Sequence, residues 1–394
     1  MAGRRVAVGQ AGGPTTVANA SLFGFLEKAL PHCELYGVIN GIEGLAEDML
    51  VPLTNETVKR HRHVREMPGA WLGAGRWPAR EEDFEAYAES LRRRDIGGLA
   101  LIGGNGTMWS CMQLERAARS IGYELAVVGI PKTVDNDLAG TDHSPGFASA
   151  ARFVTTVVRD VGKDLESMRN FEAVRVLETM GRNVGWLAMS AAYLKNHRED
   201  PPHLIYAPEN GFSESTFLED VQQAYQAHGY AVAVVGEGLL GRARREGDEN
   251  VKSPLIGGVS RELAGLVQEN LGLSSRGELL GMAQRSYSLA VSRRDREEAT
   301  LLGAEAAQLL EEGESGVMVA LERRPVSFYE VEVRHVPLTQ VAGVERPLPE
   351  EWRATSGGTA SESFVEWLRP LVGEELFSYP QNLLPESTLW SEEP

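Results

Sequence analysis

Short apolar runs recur along the chain, each closed by glycine or polar residues: Arg5–Val8, Leu35–Ile39, Gly98–Ile102, Leu125–Gly129, Ala173–Glu178, His203–Tyr206, Tyr230–Val235 and Gly316–Ala320. Their length and β-branched content predict strands. Between them lie stretches with apolar residues at helical spacing, which predict helices over Ala18–Leu30, Arg80–Arg93, Met108–Ile121, Ala148–Leu165, Val184–Leu194, Ser215–His228 and Arg261–Leu271. Strand and helix alternate through most of the chain, the pattern of a doubly wound α/β fold. Ligands of such folds gather beyond the carboxyl ends of the strands, so chemistry is expected in the strand-to-helix turns. Gly241–Lys252, charged and without apolar period, is expected to be an exposed loop or lid margin. The tail after about Pro347, rich in Pro, Trp, Ser and Glu, is expected to be an irregular wrap or interface element.

A chain of 394 residues is long for one core and suggests two domains. Hydrophobic residues at 42% and charged residues at 24% are ordinary for a globular protein. The 42 glycines follow no collagen-like period and point to tight turns and close backbone approaches. A net charge of −17 argues against nucleic acid or an anionic membrane as partner, so an anionic substrate needs a local basic patch. Cys33 and Cys111 are the only cysteines, which excludes a disulfide framework and fits buried roles in a reducing cytoplasm. The opening MAGRRVAVGQAGGP reads as a first strand entering a glycine turn, not as a signal peptide, and no 18-residue uncharged apolar stretch suggests a membrane span.

Three turns carry candidate chemistry. Gly9–Asn19 (GQAGGPTTVAN) and Leu101–Ser110 (LIGGNGTMWS) each follow an expected strand and precede an expected helix. Glycines there let a backbone approach an anion, and a helix start offers unpaired N–H groups, though a tight structural turn explains either loop equally well. Gly129–Asp137 (GIPKTVDND) says more, because it sets Lys132, Thr133, Asp135 and Asp137 within six residues. Neighbouring carboxylates repel unless a proton, a cation or a metal relieves them. One can accept a proton from an attacking hydroxyl while the other holds magnesium.

At this segment the sequence resembles the phosphofructokinases, in which it reads P-[GK]-T-[IV]-D-N-D, and the match extends from about Val6 to Leu321. The resemblance implies Asp135 as the base for the sugar 1-hydroxyl, Asp137 with Asn105 at magnesium, and Thr133 and Lys132 at the transferring group. Gly12, Gly13, Gly104, Asn105, Gly106 and Thr107 match donor-phosphate loops, and Arg76 in WLGAGR matches an arginine bridging donor and transferred phosphates. Met180, Gly181 and Arg182 match a substrate turn, Glu237 a carboxylate for sugar hydroxyls, and Arg276 and Arg285 the arginines of the 6-phosphate. Two Rossmann-like α/β/α domains with the active site in the cleft between them are implied: a donor domain of residues 1–147 plus about 283–345 and a sugar-phosphate domain of 148–282. Residues 346–394 are expected to be an extension packing on the body. The implied activity is a glycolytic, magnesium-dependent 6-phosphofructokinase acting on fructose 6-phosphate, in a cytoplasmic homodimer or homotetramer.

Asn105, Gly106, Met282 and Ala173 depart from the family pattern. The Gly103–Gly106 loop holds no acid, Met282 stands where His or Tyr is usual, and Ala173 stands where bacterial ATP-type members carry an arginine. Gly106 is ATP-type, whereas Lys132, Asn105 and the stretches GTDHSPGFASA and MGRNVGW resemble the pyrophosphate branch, so the donor is open between ATP and pyrophosphate. The alternatives are a kinase for another ketose phosphate, such as sedoheptulose 7-phosphate, or a non-catalytic regulatory paralogue that binds sugar phosphate or nucleotide and regulates a partner subunit.

Overall fold

The computed structural model describes residues 5–75, 77–240, 257–353, 360–373, 376, 377 and 379. Its strands are β1 (Arg5–Gln10), β2 (Glu34–Val38), β3 (Leu50–Leu53), β4 (Ile96–Gly103), β5 (Ala126–Pro131), β6 (Val174–Thr179), β7 (Leu204–Tyr206), β8 (Ala231–Gly236), β9 (Ser275–Leu279), β10 (Val317–Arg323) and β11 (Val331–Pro337). The chain divides into two compact units, one of residues up to Ala150 with Arg285–Arg346, the other of Ala151–Gln284 with residues from Pro347 on. The first holds a seven-stranded sheet ordered β11-β10-β5-β4-β1-β2-β3, and the second a four-stranded sheet ordered β7-β8-β6-β9.

In the first sheet the central strands are parallel, and β3 and β11 run antiparallel at the edges. Strands buried on both faces need continuous apolar sequence, which VAVG, GLALIG and AVVGI supply. Val6, Val8, Ala100, Ile102, Val128 and Ile130 enter one core layer with Leu22, Phe25 and Leu302. Ala7, Leu99, Leu101 and Val127 turn the other way, onto Phe84, Leu91, Met108 and Leu114. Two helices of the first layer, Ala18–Ala29 and Arg293–Glu312, cross at reciprocal glycines. A Cβ on Gly24 would lie 2.1 Å from the Thr300 carbonyl oxygen, and one on Gly303 would lie 1.9 Å from that of Ser21.

The second unit repeats the logic on a smaller, all-parallel sheet. Val174, Val176, Ala231, Ala233 and Val235 pack on Phe217 and Val221 of the helix Glu214–His228 and on Leu263 and Val267 of Val259–Leu271.

The alternating α/β expectation is met, with local differences. Strands β3, β9 and β11 were not expected. The tail is not wholly irregular: Ser361 caps a helix Glu362–Val372, and Trp352, Phe364 and Trp367 gather around Trp186. Val184–Leu194 is a short helix Trp186–Ser190 followed by a 3-10 turn, Ala191–Leu194. The long helix Arg293–Glu312 was not expected. Gly241–Lys252 lies outside the described residues. Cys111 is fully buried, which pushes its thiol up to about 12, and Cys33 is half-buried with Sγ donating to the Ala29 carbonyl.

Candidate functional site

The three glycine-rich turns leave neighbouring strands β1, β4 and β5 at the point where the chain winds outward both ways, to β2 on one side and β4 on the other. Such a switch point opens a crevice beyond the strand ends. Backbone bonds strap the turns together there: Ala11 N–H donates to Ile102 (2.8 Å) and Lys132 N–H to Gly103 (2.9 Å). Thr133 N–H donates to Pro145 (3.1 Å), and Thr133 bridges to Gly146. Gly146 has φ +105°, and a Cβ there would meet Thr15 Cγ2 at 2.6 Å, so a glycine lets the first and third turns touch.

In the first turn, the Lys132 ammonium is folded beneath the glycines and only 2% of the residue is exposed. Its Nζ donates to the carbonyls of Ala11 (2.9 Å) and Gly13 (2.5 Å). Arg285 belongs to this unit and lies on the same glycine, where a Cβ on Gly13 would fall 2.3 Å from its Nη1. Gly12 has φ +72°.

In the second turn, Gly104 caps the helix Asn105–Ser120. Thr107 is 6% exposed and packs over Gly103, where a Cβ would lie 2.1 Å from Thr107 Oγ1. A Cβ on Gly106 would meet nothing within 4 Å. Asn105 makes a two-point clamp, with Oδ1 accepting from Gly343 N–H (2.7 Å) and Nδ2 donating to the Val344 carbonyl (2.8 Å).

Burial alternates through the third turn: Val134, Asn136 and Leu138 are buried, while Thr133, Asp135 and Asp137 are half-exposed. Asn136 adopts φ +58°, and its Oδ1 accepts from Ser144 N–H at 2.9 Å. Thr133 Oγ1 accepts the Asp135 N–H at 3.1 Å, fixing the backbone between them. Arg346 donates its N–H to the Asp137 carbonyl (2.8 Å) and its guanidinium to the carbonyls of Thr141 and Asp142. Burial pulls that guanidinium down to about 10 against the attraction of Asp142 and Asp137.

The second unit carries the remaining residues. Met180, Gly181 and Arg182 follow β6, with Gly181 at φ +134° and Arg182 at φ +50°. That strained turn is held by Glu237, which leaves the adjacent strand β8 and accepts from Arg182 N–H at 3.0 Å. Burial raises the Glu237 carboxyl, and the nearby Glu178 adds to it. Gln284 accepts from Met180 N–H at 3.0 Å. Arg276 on β9 is 60% exposed at its side chain and 3.7 Å from Glu172. Met282 is 55% exposed, whereas Ala173 is 5% exposed, with its N–H held by Ser274. Arg76 lies outside the described residues. Sequence reading missed Arg346, Gln284 and Glu178, whose carboxylate accepts from Gly258 (3.0 Å) and Ser260 (2.9 Å). Of these only Glu178, at a strand end beside the substrate turn, carried a readable positional signal.

For magnesium, Asp137 is a half-buried residue whose carboxylate Oδ1 is buried, while both polar atoms of the Asn105 amide are already engaged. Among the described residues no three His, Cys, Asp or Glu gather into a cage. Magnesium keeps its waters and needs only one or two carboxylates when substrate phosphates complete its shell, so Asp137 fits that use.

The chain matches the phosphofructokinase family model over residues 5–310. It is 43% identical over 376 residues to a sulfofructose kinase of Alkalicoccus urumqiensis, covering 93% of this chain and 95% of that one. It is 33% identical over 385 residues to the pyrophosphate–fructose 6-phosphate 1-phosphotransferase of Rhodospirillum rubrum, covering 94% of each. Among solved structures, the pyrophosphate-dependent phosphofructokinase of Marinobacter aquaeolei matches with TM-score 0.84 at 28% identity, over 96% of this chain and 94% of that one.

Proposed function

This chain belongs to the phosphofructokinase family, and from that premise we propose that it phosphorylates the 1-hydroxyl of sulfofructose using ATP and magnesium. Family membership makes it a phosphotransferase with an alcohol acceptor. The finer reading concerns which acceptor and which donor.

Met282 carries the acceptor reading. It stands at the position of a family His or Tyr that contacts the sugar phosphate, and a thioether cannot donate a hydrogen bond. A phosphate monoester brings about −1.5 to −2 charges at neutral pH and strong acceptor oxygens. Losing one charge-assisted bond to it costs about 1.5–3 kcal/mol. A sulfonate is a monoanion with weaker acceptors and loses less at the same site. The relative at 43% identity bears the name of a sulfofructose kinase, which supports the same choice.

Gly106 supports the nucleotide donor. A Cβ on Gly106 would meet nothing within 4 Å, and Lys132 Nζ is bonded to the carbonyls of Ala11 and Gly13 in the first turn. Asp135 would take the proton of the attacking hydroxyl, and Asp137 would hold magnesium together with the donor's oxygens. Glu237 and the Met180–Arg182 turn would orient the sugar. Fructose 6-phosphate is the second reading, favoured by Arg276 and by the relatives near 33% identity. Initial rates with magnesium, each donor and each of sulfofructose, fructose 6-phosphate and sedoheptulose 7-phosphate test both choices. We expect kcat/KM for sulfofructose with ATP to lead by at least about tenfold, some 1.4 kcal/mol of transition-state binding. Equal or faster use of fructose 6-phosphate would sink the acceptor reading, and faster turnover with pyrophosphate the donor reading.

A further inference from the structure

We propose that Arg346 is a positioning residue for phosphoryl transfer: it ends a strap, residues 343–346, that ties the Asp137 turn to the helix start at Asn105. The inference rests on the reading of Asp137 as the magnesium carboxylate and of the Gly103–Thr107 turn as a donor loop.

The second and third turns are joined at their roots, where Lys132 N–H donates to the Gly103 carbonyl at 2.9 Å. Farther out the strap adds a second join, as the chain leaves the short helix Leu338–Val341. Asn105 grips the first half of the strap, with Oδ1 accepting from Gly343 N–H (2.7 Å) and Nδ2 donating to the Val344 carbonyl (2.8 Å). The second half runs along the third turn. Glu345 pairs with Leu138 in an antiparallel bridge, and Arg346 N–H donates to the Asp137 carbonyl at 2.8 Å. The Arg346 guanidinium then reaches the far end of the same loop, donating to the carbonyls of Thr141 and Asp142.

That far end is itself anchored on β10. Asp142 N–H donates to the Leu321 carbonyl at 2.8 Å, and Thr141 Oγ1 accepts from Leu321 N–H at 3.0 Å. Arg346 therefore closes the loop that starts at Asp137, one end on its main chain and the other on its side chain. A guanidinium suits the task because its N–H groups point in fixed directions and meet two carbonyls at once, which a single ammonium on a flexible stem does poorly. Phosphoryl transfer depends chiefly on positioning, and a misplacement of about 1 Å costs about 10²-fold in rate. The strap lies beyond residues 5–310, the stretch matched by the family model.

The test compares full-length wild type, Arg346→Gln, Arg346→Lys, Asn105→Ala and the double variant Asn105→Ala/Arg346→Gln. Hydrogen exchange at the amides of residues 137–141 is followed first, with no donor, sugar or metal present. We expect it to quicken at least about tenfold in Arg346→Gln and also in Asn105→Ala, which loosens the strap at its other end. The double variant should add nothing beyond the larger single effect, because both changes act through one element. In steady-state kinetics Arg346→Gln should lower kcat at least about thirtyfold and raise the free magnesium needed for half-maximal rate at least about fivefold, with sugar KM within about threefold. Arg346→Lys should lie between Arg346→Gln and wild type. Exchange that stays at the wild-type rate in either single variant, or effects that add in the double variant, would remove the strap. Quickened exchange with kcat and magnesium dependence at wild-type values would leave a purely structural tie and overturn the positioning role. The underlying readings fail differently: a wild type that binds neither ATP nor pyrophosphate sinks the donor loop, and Asp137→Asn with wild-type magnesium dependence sinks the metal reading, while the exchange result still decides the strap. Melting temperatures identify a misfolded Arg346→Gln, in which case Asn105→Ala and Arg346→Lys decide by the same readouts.

Discussion

At the scale of single residues, the third turn separates what it presents from what holds it. Val134, Asn136 and Leu138 are buried and anchor the loop, while Thr133, Asp135 and Asp137 remain half-exposed. Replacing Asp135 by Asn keeps the volume and removes the carboxylate proposed as base. It should lower kcat about 10²–10⁴-fold, the usual range for a general base, with sugar KM little changed. Steady-state rates check this, and a variant with kcat within tenfold of wild type would remove Asp135 from that role. Asp135 and Asp137 stood out as candidates in the sequence because crowded like charges have few structural uses. The true surroundings of Asn105 and Arg285 were not legible. Asn105 spends its amide on Gly343 and Val344, and Arg285 lies on Gly13, contacts that only the folded chain brings together.

Among the secondary-structure elements, glycine has opposite meanings in two helices. Gly303 sits at the crossing with Ala18–Ala29, where a methyl group would fall 1.9 Å from a carbonyl oxygen, whereas a Cβ on Gly265 in Val259–Leu271 meets nothing within 4 Å. Gly303→Ala should therefore destabilise by about 1–3 kcal/mol through overpacking. Gly265→Ala should stabilise by about 0.4–1 kcal/mol by restricting the unfolded chain. Denaturant melts of the two variants check both signs. The buried parallel strands were legible because their runs are continuously apolar. The helix Arg293–Glu312 was missed because its first turns are charged, although Ser292 at its start and Gly313 at its end are ordinary caps. Strands β9 and β11 are half-exposed edge strands with mixed sequences, so their pattern was too weak to stand out.

For the molecule as a whole, one buried ionic network joins distant parts of the first unit. His143 is fully buried between Asp142 (Nδ1, 2.9 Å) and Glu298 (Nε2, 2.7 Å). Asp142 also receives Arg323 (3.1 Å), and Glu298 accepts from the Tyr329 hydroxyl (2.5 Å). Burial alone would lower the His143 imidazolium, but Glu298 and Asp142 outweigh it and raise it from 6.5 to about 9. A raised folded value means that the folded state binds the proton more tightly. The stabilisation is thus fully present below about pH 6.5 and is lost as pH rises through about 9. Melting temperature measured from pH 6 to pH 10 should fall across that window. His143→Gln should flatten the fall, and a variant with an undiminished slope would assign the effect elsewhere.

The order of the chain in the first unit has a consequence for how the protein is made. Arg293–Glu312 and β10, which complete that unit's core, leave the ribosome only after the whole of Ala151–Gln284 has been synthesised. Until then the apolar face of Ala18–Ala29, including Leu22, Phe25 and Leu26, has no partner from that helix. The nascent N-terminal segment is then the natural client of a chaperone, because transiently exposed apolar surface is what such factors bind. Arg285 and Arg346 also emerge late, so the glycine turns of a growing chain receive these two cations only when synthesis has passed them.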